Sequence, residues 1–548
     1  MKPTPFKYVL FFYLFTSFTY LSKATSYIAD GYMDKISYNP TDTARVYINA
    51  TANFIGKKLY LRNALHVIVD SVTVSLIPQH ISLSNTAPWQ NGFGYAVSFT
   101  YIIPHNLVSG VYHWDNKIYF IVKSAAKNAD ITIIYPSNTE AAYDSAGGKC
   151  LYDDASHQLI RANTISFQRP MTNSNKLYNT NSIIKWVSKL HGYSIQFICD
   201  QDLDDYTEIQ NSKIICVVGH SEYWTRAARL NFDQFVNNGK HAIVLSGNTM
   251  WWQVRYSADK KQLICYKGPN DPTSNPLLRT INWPDPSLHY PPLNSIGVDW
   301  VHGAYPPSTL VNYHGWGGYK IMQANSPLLA GTGLHFNDTM SCATREYDGT
   351  LLHGTNALGD PILDTTTLGF CKIELIGYDY GEQDQSSPPY TKGHGTFIAF
   401  KKNANTGNVI NVGGMGWCVN PPTGGYNGGF GGKDSSRIKT ITLNMFDLLL
   451  ANKNIFTHPN DSICLAAGIN QITQNQLKIY PNPASTILNV EFLMPSETAD
   501  IKLFDVLGKE ILSTKQREID VINLSNGVYF IQVKTNQNTY TQKIIVQH

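Results

Sequence analysis

The sequence predicts a multidomain protein: an N-terminal β-sandwich, a central α/β domain built on a parallel sheet, and a small all-β module at the end. Three observations predict this order. Residues 27–124 are short alternating or β-branched runs such as ARVYINA, KLYLRN and VTVSLIP, separated by Asn, Pro and Gly. Within residues 125–455, the stretch 131–246 alternates near-continuous apolar strands with helically spaced segments, the pattern of a sheet buried on both faces. The stretch 260–455 is rich in Pro, Gly and Asn, with strands read at 371–378 and 396–400 and a helix at 441–450. Residues 477–548 return to alternation and contain no cysteine.

The chain has 548 residues, of which 15% are charged and 12% aromatic, so a disordered chain is excluded by its capacity to bury a core. Lys and Arg number 43 against 40 Asp and Glu, with no basic block. Nucleic-acid binding needs such a block to displace counterions, and it is therefore not expected.

At the start, Lys2 and Lys7 precede the uncharged run Tyr8 to Leu21. That run is shorter than the about 20 residues a helix needs to span a bilayer. Ser22-Lys23-Ala24 and Ala24-Thr25-Ser26 each fit a small-x-small cleavage site, so residues 1–26 read as a secretory signal peptide. No later segment reaches about 18 apolar residues, and the mature protein is expected to lack a transmembrane segment. Export permits disulfides among the eight cysteines, with no pairing readable from spacing.

In the central region ITIIYP (131–136), SIQFIC (194–199), KIICVV (213–218) and HAIVLS (241–246) read as parallel strands, with helices over 182–190 and 224–237. Ligands of such sheets bind beyond the carboxyl ends of the strands. Those ends carry Tyr143, the Asp200 and Asp202 pair, His220, Glu222, Tyr223 and Trp224, and then Asn248, Trp251 and Trp252. His220 and Glu222 are the candidate catalytic pair, a base and the group orienting it, although a strand-end His also serves simply to bond a neighbouring loop. Asn248, Trp251, Trp252 and Tyr143 are candidate pocket walls. Asp200 and Asp202 suit either a divalent cation or a helix-start cluster. The segment 413–432 holds nine Gly in 20 residues and reads as a pocket cover or a solvated loop. A linker over 456–476 leads to the last module.

LKIYPNPAST (477–486), ADIKLFDVLGKEIL (499–512) and LSNGVYFIQV (524–533) resemble a type A C-terminal sorting domain of the type IX secretion system of Bacteroidetes. The resemblance implies an Ig-like module, handling by the type IX machinery, and a secreted or outer-surface destination.

TEAAYDSAGGKCLY (139–152), GHSEYWTRAARLNFDQFVNNG (219–239) and LSGNTMWWQVR (245–255) are similar to the C-terminal domain of N,N-dimethylformamidase large (beta) subunits. That resemblance implies a glutamine-amidotransferase-like sheet and hydrolysis of a small amide at a mononuclear iron held by two tyrosinates and a glutamate. Carried over, Tyr223 is the first tyrosine ligand, and Glu346 in REYDG is the carboxylate ligand or else a surface residue before an Asp348-Gly349 hairpin turn. The second tyrosine falls where this chain has Trp251, and an indole supplies no anionic oxygen. The expected activity is hydrolysis of amide-type C–N bonds in a small-molecule substrate. The alternative is a non-catalytic cell-surface binding protein that stacks small molecules or glycans on Trp251, Trp252 and Trp224.

Overall fold

The computed structural model describes residues 26–152, 160–171, 180–304, 317–342, 346–382, 392–419, 429–457, 464, 477–492, 499–505, 509–535 and 539–548. Residues 1–25 of the expected signal peptide therefore lie outside the described residues, as do most of the expected linker and residues 420–428 of the glycine-rich segment.

The N-terminal strands form two sheets. Ile28–Met33, Thr43–Ala50 and Phe99–Ile102 make one. Ser37–Tyr38, Ile118–Val122, Gly110–Trp114, Phe54–Asn63 and Ile68–Leu76 make the other. Alternation explains the pairing: Val46 and Ile48 from the first sheet share a core with Leu61, Trp114 and Phe120 from the second.

The central elements are numbered here in chain order. They are β1 (Ile131–Tyr135), α1 (Ser137–Tyr143), α2 (Asn181–Val187), β2 (Ile195–Cys199), β3 (Ile214–His220), β4 (Tyr223–Thr225), α3 (Arg226–Asn237), β5 (His241–Gly247) and β6 (Trp252–Tyr256). After them come β7 (Tyr319–Ile321), β8 (Thr339–Met340), β9 (Tyr347–Gly349), β10 (Lys372–Glu382), β11 (Lys392–Lys401), β12 (Asn408–Asn411) and α4 (Ser435–Leu450). One sheet runs β2-β1-β3-β5-β12-β11-β10-β7-β8. Its first five strands are parallel. The remaining four are antiparallel. The expected parallel sheet thus corresponds to only half of a mixed one.

The apolar run of β3 shows why the parallel half is buried on both sides. Cys216 and Val218 pack toward Ile184 of α2 and Met445 of α4, while Ile215 and Val217 pack toward Phe232 and Phe235 of α3. Helix α3 starts at Thr225, whose hydroxyl caps Ala228 N–H at 3.0 Å. It ends before Gly239, which has a φ of 81°.

Cys371 and Cys464 form a disulfide, and the other six cysteines are buried and free. Two small sheets around Leu488, Ile501, Val533 and Ile544 form the C-terminal module. Among the described residues no helix is long and apolar enough to cross a membrane.

Candidate functional site

The strand order places a topological switch at β1, because the chain leaves β1 for β2 on one side and then passes to β3 on the other. Crevices at such switches are where α/β sheets bind ligands. Here the first turn of α1 grips the loop that follows β3. Thr139 Oγ1 accepts from Glu222 N–H at 2.9 Å, and Asn138 Nδ2 donates to the Tyr223 carbonyl at 3.0 Å.

His220, Glu222, Tyr143 and Glu346 converge in this crevice. His220 Nδ1 lies 3.0 Å from the Gly247 carbonyl, which fixes that nitrogen as a donor. Its Nε2 is 3.4 Å from Glu222 Oε2 and 3.6 Å from Glu346 Oε2. Burial alone would lower the imidazole pKa. The Glu346 charge, the Glu222 hydrogen bond and charge, and the Gly247 carbonyl outweigh it and lift the value to about 9. His220 therefore holds its proton at neutral pH. Burial opposes ionisation of Glu222, but His220, Lys267 and the Tyr143 hydroxyl hold its carboxyl below the ordinary range. Tyr143 donates to Glu222 Oε2 at 2.8 Å.

Glycine brings Glu346 to this place. A Cβ on Gly247 would lie 2.4 Å from the Glu346 carbonyl and 2.5 Å from Met415 N, so only a bare backbone allows the end of β5 to touch that segment. Beyond Gly247 the chain turns through Asn248 and Met250 at φ of 49° and 56°. The expected Asp348-Gly349 hairpin turn is not formed. Both residues sit inside β9, which pairs antiparallel with Asp299–Ala304.

Tyr223 lies beside this group, its ring meeting that of Tyr143 edge to face at 6.3 Å. Its ring packs with Val254, Leu263 and Cys265, and its hydroxyl accepts from Lys267 Nζ at 2.7 Å. The Lys267 ammonium also lies 4.8 Å from the Trp252 ring centroid, 5.1 Å from that of Tyr223 and 5.2 Å from that of Tyr152. Burial and the Glu222 charge push the Tyr223 phenol well above its ordinary pKa. Sequence reasoning missed Lys267, which sits alone in a loop without a pattern to mark it.

The implied iron ligands can be tested against this arrangement. Tyr223 faces an ammonium, Trp251 stands at the second tyrosine position, and Glu346 faces His220. These residues as placed do not fit a two-tyrosinate, one-glutamate iron site.

The aromatic residues also separate. Trp224 is fully buried, with Nε1 donating to Ser221 at 3.0 Å, so it belongs to no exposed stacking platform. Trp251 and Trp252 are half-buried and meet edge to face at 5.8 Å. In the register, Trp252 pairs with Tyr223, and its backbone N–H donates to the Glu222 carbonyl at 2.9 Å. Asn248 is buried beside the crevice.

Asp202 ties modules together: it accepts from Cys199 N–H at 2.9 Å, Ser37 Oγ at 2.9 Å and Lys123 Nζ at 3.1 Å. Asp200 accepts from Asn138 N–H at 2.7 Å, capping the start of α1. A separate cleft lined by Met33, Phe120, Tyr135, Ser137, Glu140 and Arg169 contains neither His220 nor Glu222. Helix α1 lies between the two, with Glu140 lining the cleft and Tyr143 contacting Glu222.

A family model described as N,N-dimethylformamidase beta subunit-like, C-terminal, matches residues 67–422, well over half of the chain. A second, described as secretion system C-terminal sorting domain, matches residues 478–547. The second match makes this a secreted or cell-surface protein handled by the type IX machinery. No curated protein matches the chain.

Proposed function

The chain belongs to the N,N-dimethylformamidase beta subunit-like family, and from that premise we propose that it is an exported hydrolase of small amide-type C–N bonds. The observation that carries this reading is His220 Nε2 set between the carboxylates of Glu222 and Glu346.

Amide hydrolysis needs a base to take a proton from water and an acid to give one to the departing nitrogen. In our reading Glu346 is the base, since its side chain is 15% exposed against 7% for His220 and 3% for Glu222. His220, protonated at neutral pH, is the acid. Glu222 orients it, and Tyr143 fixes Glu222. The substrate rests against Trp251 and Trp252, with Tyr143 and Asn248 completing the wall. No step is routed through iron, and Tyr223 serves to hold Lys267. We assign the chemistry to residues 125–455, with 27–124 as a supporting sandwich, 456–476 as a linker and 477–548 as the sorting module.

The competing reading, a binding protein without catalysis, is weakened by the burial of Trp224, which leaves no three-ring platform. The deciding experiment is release of amine from formamide and N,N-dimethylformamide by the purified chain. Turnover that falls about 10²–10⁴-fold in Glu346→Gln and His220→Gln supports the reading. Absence of turnover, or full activity in both variants, overturns it.

A further inference from the structure

The outer face of the five-stranded N-terminal sheet is divided. Along strands Gly110–Trp114 and Ile118–Val122 it packs on the central domain, where Val111 and Ile121 join the core around Ile133 and Ile184. Along strands Phe54–Asn63 and Ile68–Leu76, at the other end of the sheet, it meets solvent. Side chains alternate, so with Leu59 and Leu61 in the sandwich core, Lys58, Tyr60 and Arg62 stand on this outer face. Lys58 Nζ lies 5.7 Å from the Tyr60 ring centroid, and the Arg62 guanidinium carbon lies 5.8 Å from it, both near the outer limit of a cation–π contact. Tyr60 is 39% exposed, and so presents ring surface between two cations. Across the register Ser71 faces Tyr60 and Thr73 faces Lys58, which adds two hydroxyls to the same surface.

Positive charge continues along this face. Arg62 Nη1 donates to the His66 carbonyl at 2.8 Å, and the exposed His66 ring lies 5.2 Å from that of His113, the residue paired with Arg62 on the next strand. Burial lowers the His113 pKa to about 4, and the charges of His66, Arg62 and Lys185 of α2 act in the same direction. Strands 54–76 and 110–122 contain two carboxylates, and both are engaged: Asp70 accepts from Tyr101 in the core at 2.6 Å, and Asp115 accepts from Ser26 at 2.6 Å. Among the described residues Lys58, Arg62 and Lys185 form no ion pair. Protection of a sheet edge does not account for these cations, because the edge strand Ile68–Leu76 carries no Lys or Arg.

We infer that the Lys58–Tyr60–Arg62 surface binds an acidic polysaccharide, one bearing uronate or sulfate groups. The weakly positive C–H face of a sugar ring stacks on the electron-rich phenol ring of Tyr60. Lys58 and Arg62 take acidic groups on either side through charge-assisted hydrogen bonds, and Ser71 and Thr73 meet the hydroxyls. The surface shares no residue with the hydrolase site and stands independently of that reading.

The test uses the purified full chain against immobilised alginate, a uronate polymer, and heparin, a sulfated one, with neutral dextran and double-stranded DNA as controls. Binding is measured at about 0.05 M and about 0.15 M NaCl, since the higher salt screens exposed charges. The expected result is binding to alginate, heparin or both, weaker at the higher salt, with neither control held as tightly. The polymer that binds identifies the acidic group. The Lys58→Gln/Arg62→Gln double variant and Tyr60→Ala are each expected to lose about tenfold or more in affinity, with Tm and amide turnover unchanged. The inference is overturned if neither polysaccharide binds, if dextran or DNA binds as tightly, or if either folded variant keeps the parent affinity. Should one variant fail to fold, the other decides alone.

Discussion

Glu346 Oε2 stands 3.6 Å from His220 Nε2, joining a segment before β9 to the end of β3. Together with Glu222 at 3.4 Å, it makes the imidazolium the stable form of His220 in the folded protein. Because the folded pKa of about 9 lies above the ordinary 6.5, this charge contributes stability that is full below pH 6.5 and is lost as pH rises through 9. Unfolding experiments between pH 6 and pH 9.5 should show that decline. Glu346→Gln should flatten it, and NMR titration should show His220 ionising closer to its ordinary value.

Tyr223 and Lys267 give a second prediction. Tyr223→Phe keeps the packed ring and removes one charge-assisted hydrogen bond, so denaturant unfolding should show a loss of about 1.5–3 kcal/mol. Amide turnover should change less than about tenfold, since we give Tyr223 no part in proton transfer. Complete loss of turnover in a folded Tyr223→Phe protein would restore Tyr223 to the chemistry.

Gly247→Ala places a methyl 2.4 Å from the Glu346 carbonyl and 2.5 Å from Met415 N, both backbone atoms that cannot swing away. We expect a cost of about 1–3 kcal/mol in unfolding. A fall in kcat should accompany it as Glu346 is pushed from His220.

Thiol counting tests the cysteine assignment. The native protein should show little reactive thiol, denaturation should expose six, and reduction should add the Cys371–Cys464 pair. Replacing both disulfide cysteines with Ser should destabilise the protein by on the order of 2–4 kcal/mol.

The parallel half of the sheet was legible because β3 and β5 bury both faces and so contain little but apolar residues. The antiparallel half was legible only as separate strands: CKIELIGY (371–378) and TFIAF (396–400) read as strands and lie in β10 and β11. What was not legible is their pairing and the full length of β10, because Gly, Asp and Tyr follow Ile376 and the register slips between Leu375 and Gly377. At the site, His220 and Glu222 were readable from their place at a strand end. The partnership of Glu346 with His220 depends on the close approach at Gly247, which no local pattern announces. Lys267 escaped for a related reason, being a solitary loop lysine.

The bond between Cys371 and Cys464 has a consequence for maturation. It fastens the chain to the start of β10, inside the large sheet, ahead of the first tail strand at Leu477. A protease cutting between those points would shed the sorting module while Cys464 stays covalently tied to the central-domain sheet.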